Sequence, residues 1–223
     1  MAILLPSENR FGSLGYISIS LHQSVNPEPP NPCTGEEPLL AEMQALWQEA
    51  DEIWDTCRNH LEFGAYVSAD YLEIFRELTQ LQGRVETVLE WGSGLGVVAI
   101  MASRLGFDAY GIEVEPLLVE RSQALAKRFR CDVQFVQGSF IPDEYAWNVE
   151  QIGENSRTET DSCDAYAELD LDIRDFDLVY AYPWPDEHDL YRDILQQCGR
   201  LDALLLTYDA REGAHLTRVS DVR

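Results

Sequence analysis

Glu90, Gly92, Gly94 and Gly96 form the pattern E-x-G-x-G-x-G where the apolar run VETVLEW gives way to a helical apolar period through Leu95, Val98, Ala102 and Leu105. Glycine has no Cβ, so a turn built on it lets backbone N–H groups and a ligand approach closely, and the start of the helix that follows favours polar or charged guests. A nucleotide-like guest at the carboxyl end of a strand suits such a turn. The dinucleotide fingerprint G-x-G-x-x-G is not met, because Val97 stands where its third glycine would fall. A second acid, Glu113, lies near the end of the run FDAYGIEV, with Glu115 as its nearby competitor. A third stretch, YAYPWPDEH over residues 180–188, sets Tyr182, Pro183 and Trp184 as a rigid lip followed by Asp186, Glu187 and His188.

The elements that must position these residues follow from hydrophobic periodicity. Leu39, Met43, Leu46, Ala50, Ile53, Cys57 and Leu61 recur every three or four residues and predict one long amphipathic helix. FGAYVSAD breaks that period and places Ser68 to cap a second helix through Tyr71, Leu72, Phe75 and Leu78. Strands are expected at VETVLEW, FDAYGIEV, VQFVQ, FDLVYAY and DALLLTY. Helices are expected after the glycine turn, over 116–129 and over 186–198, with Pro116 at a natural first-turn position. This alternation predicts an α/β fold: a Rossmann-like, doubly wound, mostly parallel sheet of about six strands with N-terminal helices. The residues after Tyr208 suffice for an edge strand or hairpin.

Three segments are expected: an N-terminal hairpin and proline-rich linker (1–37), helices packing on the core (38–82), and the ligand-binding domain (83–223). Within the last, residues 143–175 are rich in Asp and Glu and contain GENSRTETDS, which has no apolar period. Most of that stretch is expected to be a mobile acidic insertion.

A formal net charge of −24, with Lys127 the only lysine, predicts a surface that repels a phosphate backbone, so nucleic acid is not expected as a partner. MAILLPSENRF lacks a basic leader, and no run approaches the ~18 apolar residues of a membrane span. The expectation is a cytoplasmic protein without a membrane partner, monomer or homodimer. The five cysteines show no CxxC pair and no histidine at zinc spacing, so no metal site is expected. Of the four histidines only His188 lies in a stretch that looks chemical.

The glycine pattern, GIEVEP, VQFVQGSF and FDLVYAYPWP, in that order, resemble motifs of the class I S-adenosylmethionine-dependent methyltransferases over roughly residues 60–208. The resemblance implies S-adenosyl-L-methionine as cofactor and methyl transfer as the activity. It places Glu90 and Gly92 near the methionine amino group, has Trp91 and Ser93 line the turn that Gly94 and Gly96 shape, and gives Glu113, with Val114 beside it, the ribose. Gly138 and Ser139 stand where the family contacts adenine, often through an aspartate that this chain lacks. Tyr66 and Val67, in GAYVS, match a segment that some members fold over the cofactor. Tyr182 and Asp186 are the catalytic candidates; Tyr182 also reads as a plain lip aromatic, and Asp186 as the N-terminal acid of a helix. The lip lacks the Asn or Asp of the amino-methylating motif (N/D)-P-P-(Y/F/W), which disfavours a nucleobase acceptor. A small molecule, or a basic peptide or protein, is the expected substrate. An inactive nucleotide-binding protein of this fold, or a nicotinamide-dependent oxidoreductase, is the alternative.

Overall fold

The computed structural model describes residues 36–57, 67–147 and 165–221. Two helices come first, α1 (Glu36–Cys57) and α2 (Tyr71–Leu81), followed by β1 (Thr87–Trp91), α3 (Val97–Arg104), β2 (Asp108–Glu113), α4 (Pro116–Arg128) and β3 (Val133–Gln137). After residues 148–164 come the short helix α5 (Ala165–Leu169), a 3-10 turn (Ile173–Asp175), β4 (Leu178–Ala181), α6 (His188–Cys198), β5 (Leu204–Asp209), β6 (Gly213–Arg218) and a final 3-10 turn. The six strands form one sheet in the order β3-β2-β1-β4-β5-β6, parallel except for β6, which pairs antiparallel with β5. Strand order reverses between β1 and β4, the switch point at which open α/β sheets take ligands.

Alternation along the strands divides the core. Val88, Leu178, Tyr180, Leu204 and Leu206 face α1 to α4, whereas Leu89, Trp91, Val179, Ala181 and Leu205 face α5 and α6. The periodicity of α1 is realised: Met43, Leu46 and Ala50 are almost wholly buried, and each of the two larger side chains contributes about 1.5–3 kcal/mol. Trp47 donates through Nε1 to Met101 Sδ at 3.1 Å and stacks on Tyr71, which seats α1 against α2 and α3.

At the amino edge of the sheet Asp177 joins three strands. Its Oδ2 accepts from the amides of Glu86 (2.7 Å) and Thr87 (3.2 Å) before and at the start of β1. Its Oδ1 takes Arg200 Nη1 at 2.5 Å, and its carbonyl accepts from Leu204 N of β5 at 2.8 Å.

Several expectations are corrected. Asp70, not Ser68, caps α2, because its Oδ1 reaches the amides of Leu72 (3.1 Å) and Glu73 (3.2 Å). In the described part of the acidic stretch 143–175, Ala165, Tyr166, Leu169 and Ile173 are buried in the second core, while the acidic residues of α5 and the turn after it face outward. α6 begins at His188 rather than at Asp186. Leu61 of the expected long helix, the middle of the acidic stretch and nearly all of the hairpin and linker over 1–37 lie outside the described residues; Glu36 and Glu37 already belong to α1.

Candidate functional site

The carboxyl ends of β1 to β5 stand side by side. Trp91 is in register with Ile112 and Ala181, Glu113 with Gln137, and Ala181 with Thr207, so the loops after the five strands share one edge.

Gly92, Gly94 and Gly96 all have φ in the left-handed region (+63°, +54° and +70°), which explains why the turn after β1 is built from glycine. A Cβ on Gly96 would lie 2.3 Å from the Phe135 ring, so this glycine also lets α3 pack on β3. A Cβ on Gly92 would meet nothing within 4 Å, so that face of the turn is open. Ser93 N donates to Ile112 O at 2.9 Å, tying the turn to β2. Its Oγ is buried without a hydrogen-bond partner, a polar atom with donor and acceptor capacity to spare.

Glu113 ends β2 beside this turn. Its Oε2 accepts from Gly94 N at 2.7 Å and its Oε1 from Glu115 N at 3.0 Å, so the carboxylate is fixed in orientation while each oxygen keeps a lone pair. Burial pushes the carboxyl above its usual range, and the amides of Glu115 and Gly94 pull against that shift. Gly138 N donates to Glu113 O at 3.0 Å and Gln137 Nε2 to Val114 O at 3.2 Å, which holds the loop after β3 to the same strand end. Ser139 Oγ in that loop accepts from Ile141 N at 3.1 Å.

Glu90 and Trp91, neighbours on β1, face opposite sides of the sheet. Glu90 turns toward α3, where its Oε2 accepts from Ala99 N at 2.8 Å; its enclosure pushes the carboxyl up to about 8 against the pull of the Ala99 and Val98 amides. It anchors the start of the helix. Trp91 does not line the turn: alternation sends its ring to the opposite face, stacked on Phe140 at 4.9 Å, and Nε1 donates to Tyr166 Oη at 3.0 Å. Tyr166 in turn donates to Phe140 O at 2.8 Å, so α5 fixes both the end of β1 and the loop after β3. Tyr166 was not singled out in the sequence, because its stretch has no apolar period.

At the β4 end Tyr182 is half-buried and meets Tyr208 edge-on at 5.1 Å; burial, then Tyr208 and Asp209, push its phenol up and keep it neutral. Asp186 sits exposed on the turn before α6, neither in the helix nor capping it with its side chain. Val67 is half-exposed, and Tyr66 lies outside the described residues. His188 lies 3.6 Å from Asp209 Oδ2 through Nε2, a juxtaposition invisible in the sequence because the partner belongs to the next strand. Among the described residues no cluster of potential ligands suits a metal ion.

The strand order with its antiparallel last strand, and the glycine turn facing an acid at the end of β2, define a Rossmann-like α/β fold. No protein-family model matches the chain. Among curated proteins it is similar to the ribosomal protein L11 methyltransferase of Thermus thermophilus, 39% identical over 54 residues, which is 24% of this chain and 21% of that protein. The enzyme of the same name from Cupriavidus necator is 45% identical over 51 residues, 22% of this chain and 17% of its own length. The matched segment thus spans about a fifth of these relatives. Among solved structures, an RNA methyltransferase from Salinibacter ruber in complex with S-adenosyl-L-homocysteine has a TM-score of 0.46 at 21% identity, covering 65% of this chain and 78% of that one. The 16S rRNA N2 G1207 methyltransferase of T. thermophilus, in complex with AdoMet and guanosine, has a TM-score of 0.42 at 17% identity, covering 64% and 35%.

These findings correct the expectation that nucleic acid is excluded as a partner. Chains of similar fold are named for RNA substrates, and a net charge averages over a surface without describing the one patch that meets a substrate. The preference for a small-molecule acceptor has no support either. Among the described residues no helix is long and apolar enough to cross a membrane.

Proposed function

We propose that this chain is an S-adenosylmethionine-dependent methyltransferase whose acceptor is an amine on a protein. The observation that carries the cofactor assignment is Glu113, its carboxylate oriented by the Gly94 and Glu115 amides beside the unpartnered Ser93 Oγ. Those groups fit a nucleoside with a short charged tail: Glu113 has lone pairs left for two ribose hydroxyls, Ser93 has an unused hydroxyl for the tail, and the open face of Gly92 gives the tail room. Gly138 and Ser139 stand at the neighbouring strand end for the adenine. When bound, the cofactor supplies an electrophilic methyl on a sulfonium. The protein's share is then alignment and exclusion of water, which Tyr182, Pro183 and Trp184 perform as a lip of limited flexibility.

A protein acceptor is supported by the name of the curated relatives and by the net charge of −24, which draws basic segments toward the surface. Calorimetric titration with S-adenosylmethionine, S-adenosylhomocysteine and NADH tests the cofactor; the proposal expects micromolar binding of the sulfur compounds and none of NADH. Transfer of labelled methyl to ribosomal protein L11 and to 16S rRNA, side by side, tests the acceptor, and label on RNA alone would refute the protein assignment.

A further inference from the structure

Methylation of a protein amine requires a proton to be removed, because an alkylammonium with a pKa of about 10.4 has no lone pair near neutral pH. The residues assigned to the cofactor use the ends of β1, β2 and β3, which leaves the ends of β4 and β5 for the acceptor. His188 and Asp209 meet there.

We propose that His188 is the base that takes the acceptor's proton and that Asp209 positions its imidazole, an inference that rests on the methyltransferase reading above. Nε2 of His188 is enclosed, has no hydrogen-bond partner and lies 3.6 Å from Asp209 Oδ2. The side chain is nevertheless 26% exposed, so solvent reaches it at atoms other than Nε2. Oδ1 of Asp209 is occupied by the amides of Arg211 (2.7 Å) and Glu212 (3.1 Å), which leaves Oδ2 for the ring. Those amides, with His188 nearby, hold the Asp209 carboxyl below its usual range and therefore charged. Tyr182, edge-on against Tyr208, forms the adjoining wall.

The step balances. The acceptor's N–H bond breaks and its electron pair stays on nitrogen as the nucleophilic lone pair. The proton forms an N–H bond at His188 Nδ1, Nε2 keeps its proton toward Asp209, and the imidazolium later releases the transferred proton to water. A separation of 3.6 Å exceeds a hydrogen bond, but catalytic contacts of this kind commonly shorten when substrate binds. The charged and titratable groups next to His188 and Asp209 in the chain are Tyr208, Arg211 and Glu212 from β5 and its turn, Asp186 and Glu187 before α6, and Asp189 and Arg192 on that helix; Asp209 is the one the structure sets against the ring.

The test combines a binding-independent measurement with kinetics. Proton NMR of the four imidazoles, with His188→Gln to assign one resonance and His215→Gln as the control, locates the ring N–H protons in the free protein. Asp209→Asn is expected to abolish a slowly exchanging His188 Nε2–H resonance and leave that of His215 unmoved. With ribosomal protein L11 and poly-lysine as probe acceptors, His188→Gln is expected to lower kcat about a hundredfold at pH 7, recovering toward pH 10, with unchanged calorimetric affinity for S-adenosylmethionine. A His188 Nε2–H resonance indifferent to Asp209→Asn, or parallel pH profiles for wild type and His188→Gln, overturns the proposal. Wild type that binds S-adenosylmethionine yet labels neither probe also overturns it while leaving the cofactor assignment standing. Wild type that binds no S-adenosylmethionine sinks the methyltransferase reading itself.

Discussion

Glu90 and Glu113 sit near the ends of neighbouring parallel strands, both are buried, and both accept backbone amides, yet their surroundings give them opposite duties. Glu90 is followed by one more strand residue and faces α3, so its carboxylate holds the first turn of that helix. Glu113 is the last residue of its strand and faces the glycine turn, so the same group is held by a loop and keeps lone pairs toward the site. A carboxylate enclosed by a helix supports the scaffold. On the proposed function, one clasped by loop amides is preorganised for a ligand.

The most severe way to break this contrast is to disturb the turn that separates the two acids. Gly96→Val forces a branched residue to φ +70° and drives its Cβ against the Phe135 ring, so stability in urea denaturation is expected to fall by about 2–5 kcal/mol. Glu113→Ala should weaken S-adenosylmethionine binding at least tenfold, about 1.4 kcal/mol, by calorimetry. Glu90→Gln, which can still accept from Ala99, should bind the cofactor within about twofold of wild type; a larger loss would place Glu90 in the binding site after all.

The same substitution sharpens the comparison through pH. Glu90 titrates at about 8 in the folded chain against 4.5 normally, so folding takes up a proton. Its contribution to stability is fully present below 4.5 and is lost as pH rises through 8. Glu90→Gln is therefore expected to flatten the decline of Tm between pH 5 and pH 9. The smallest expected change is that of Ser93→Ala. Because its Oγ has no partner in the free protein, folding stability should stay within about 1 kcal/mol of wild type, while cofactor affinity falls about fivefold. Unchanged affinity would show that the hydroxyl is not a ligand contact.

Much of this arrangement was legible in the sequence because it rests on local rules. The strand-turn-helix at 87–104, the acid ending β2 and the proline that opens α4 each carry their signal within a few residues. Alternation could also have placed Trp91: once Glu90 faces α3, its neighbour must face the other side of the sheet. What stayed hidden depends on distant partners. Tyr166 lies in an acidic stretch without an apolar period, and only the fold brings its hydroxyl to Trp91 and Phe140. His188 stood out by type, whereas Asp209 gained meaning only from the adjacency of β4 and β5.

Asp177 gives the sheet a direction. It fastens β1, β4 and β5 together at their amino ends, while at their carboxyl ends the same strands run into the glycine turn, the lip and the turn before β6. The molecule is thus like a fan riveted at the handle: its blades can part at the rim without coming loose from one another. Hydrogen exchange along each strand is expected to follow that gradient, slowest beside the rivet and fastest at the rim. On the proposed function, a cofactor and a bulky acceptor would enter at that rim, and the framework that holds Glu90 and the helices would not have to unfold to admit them.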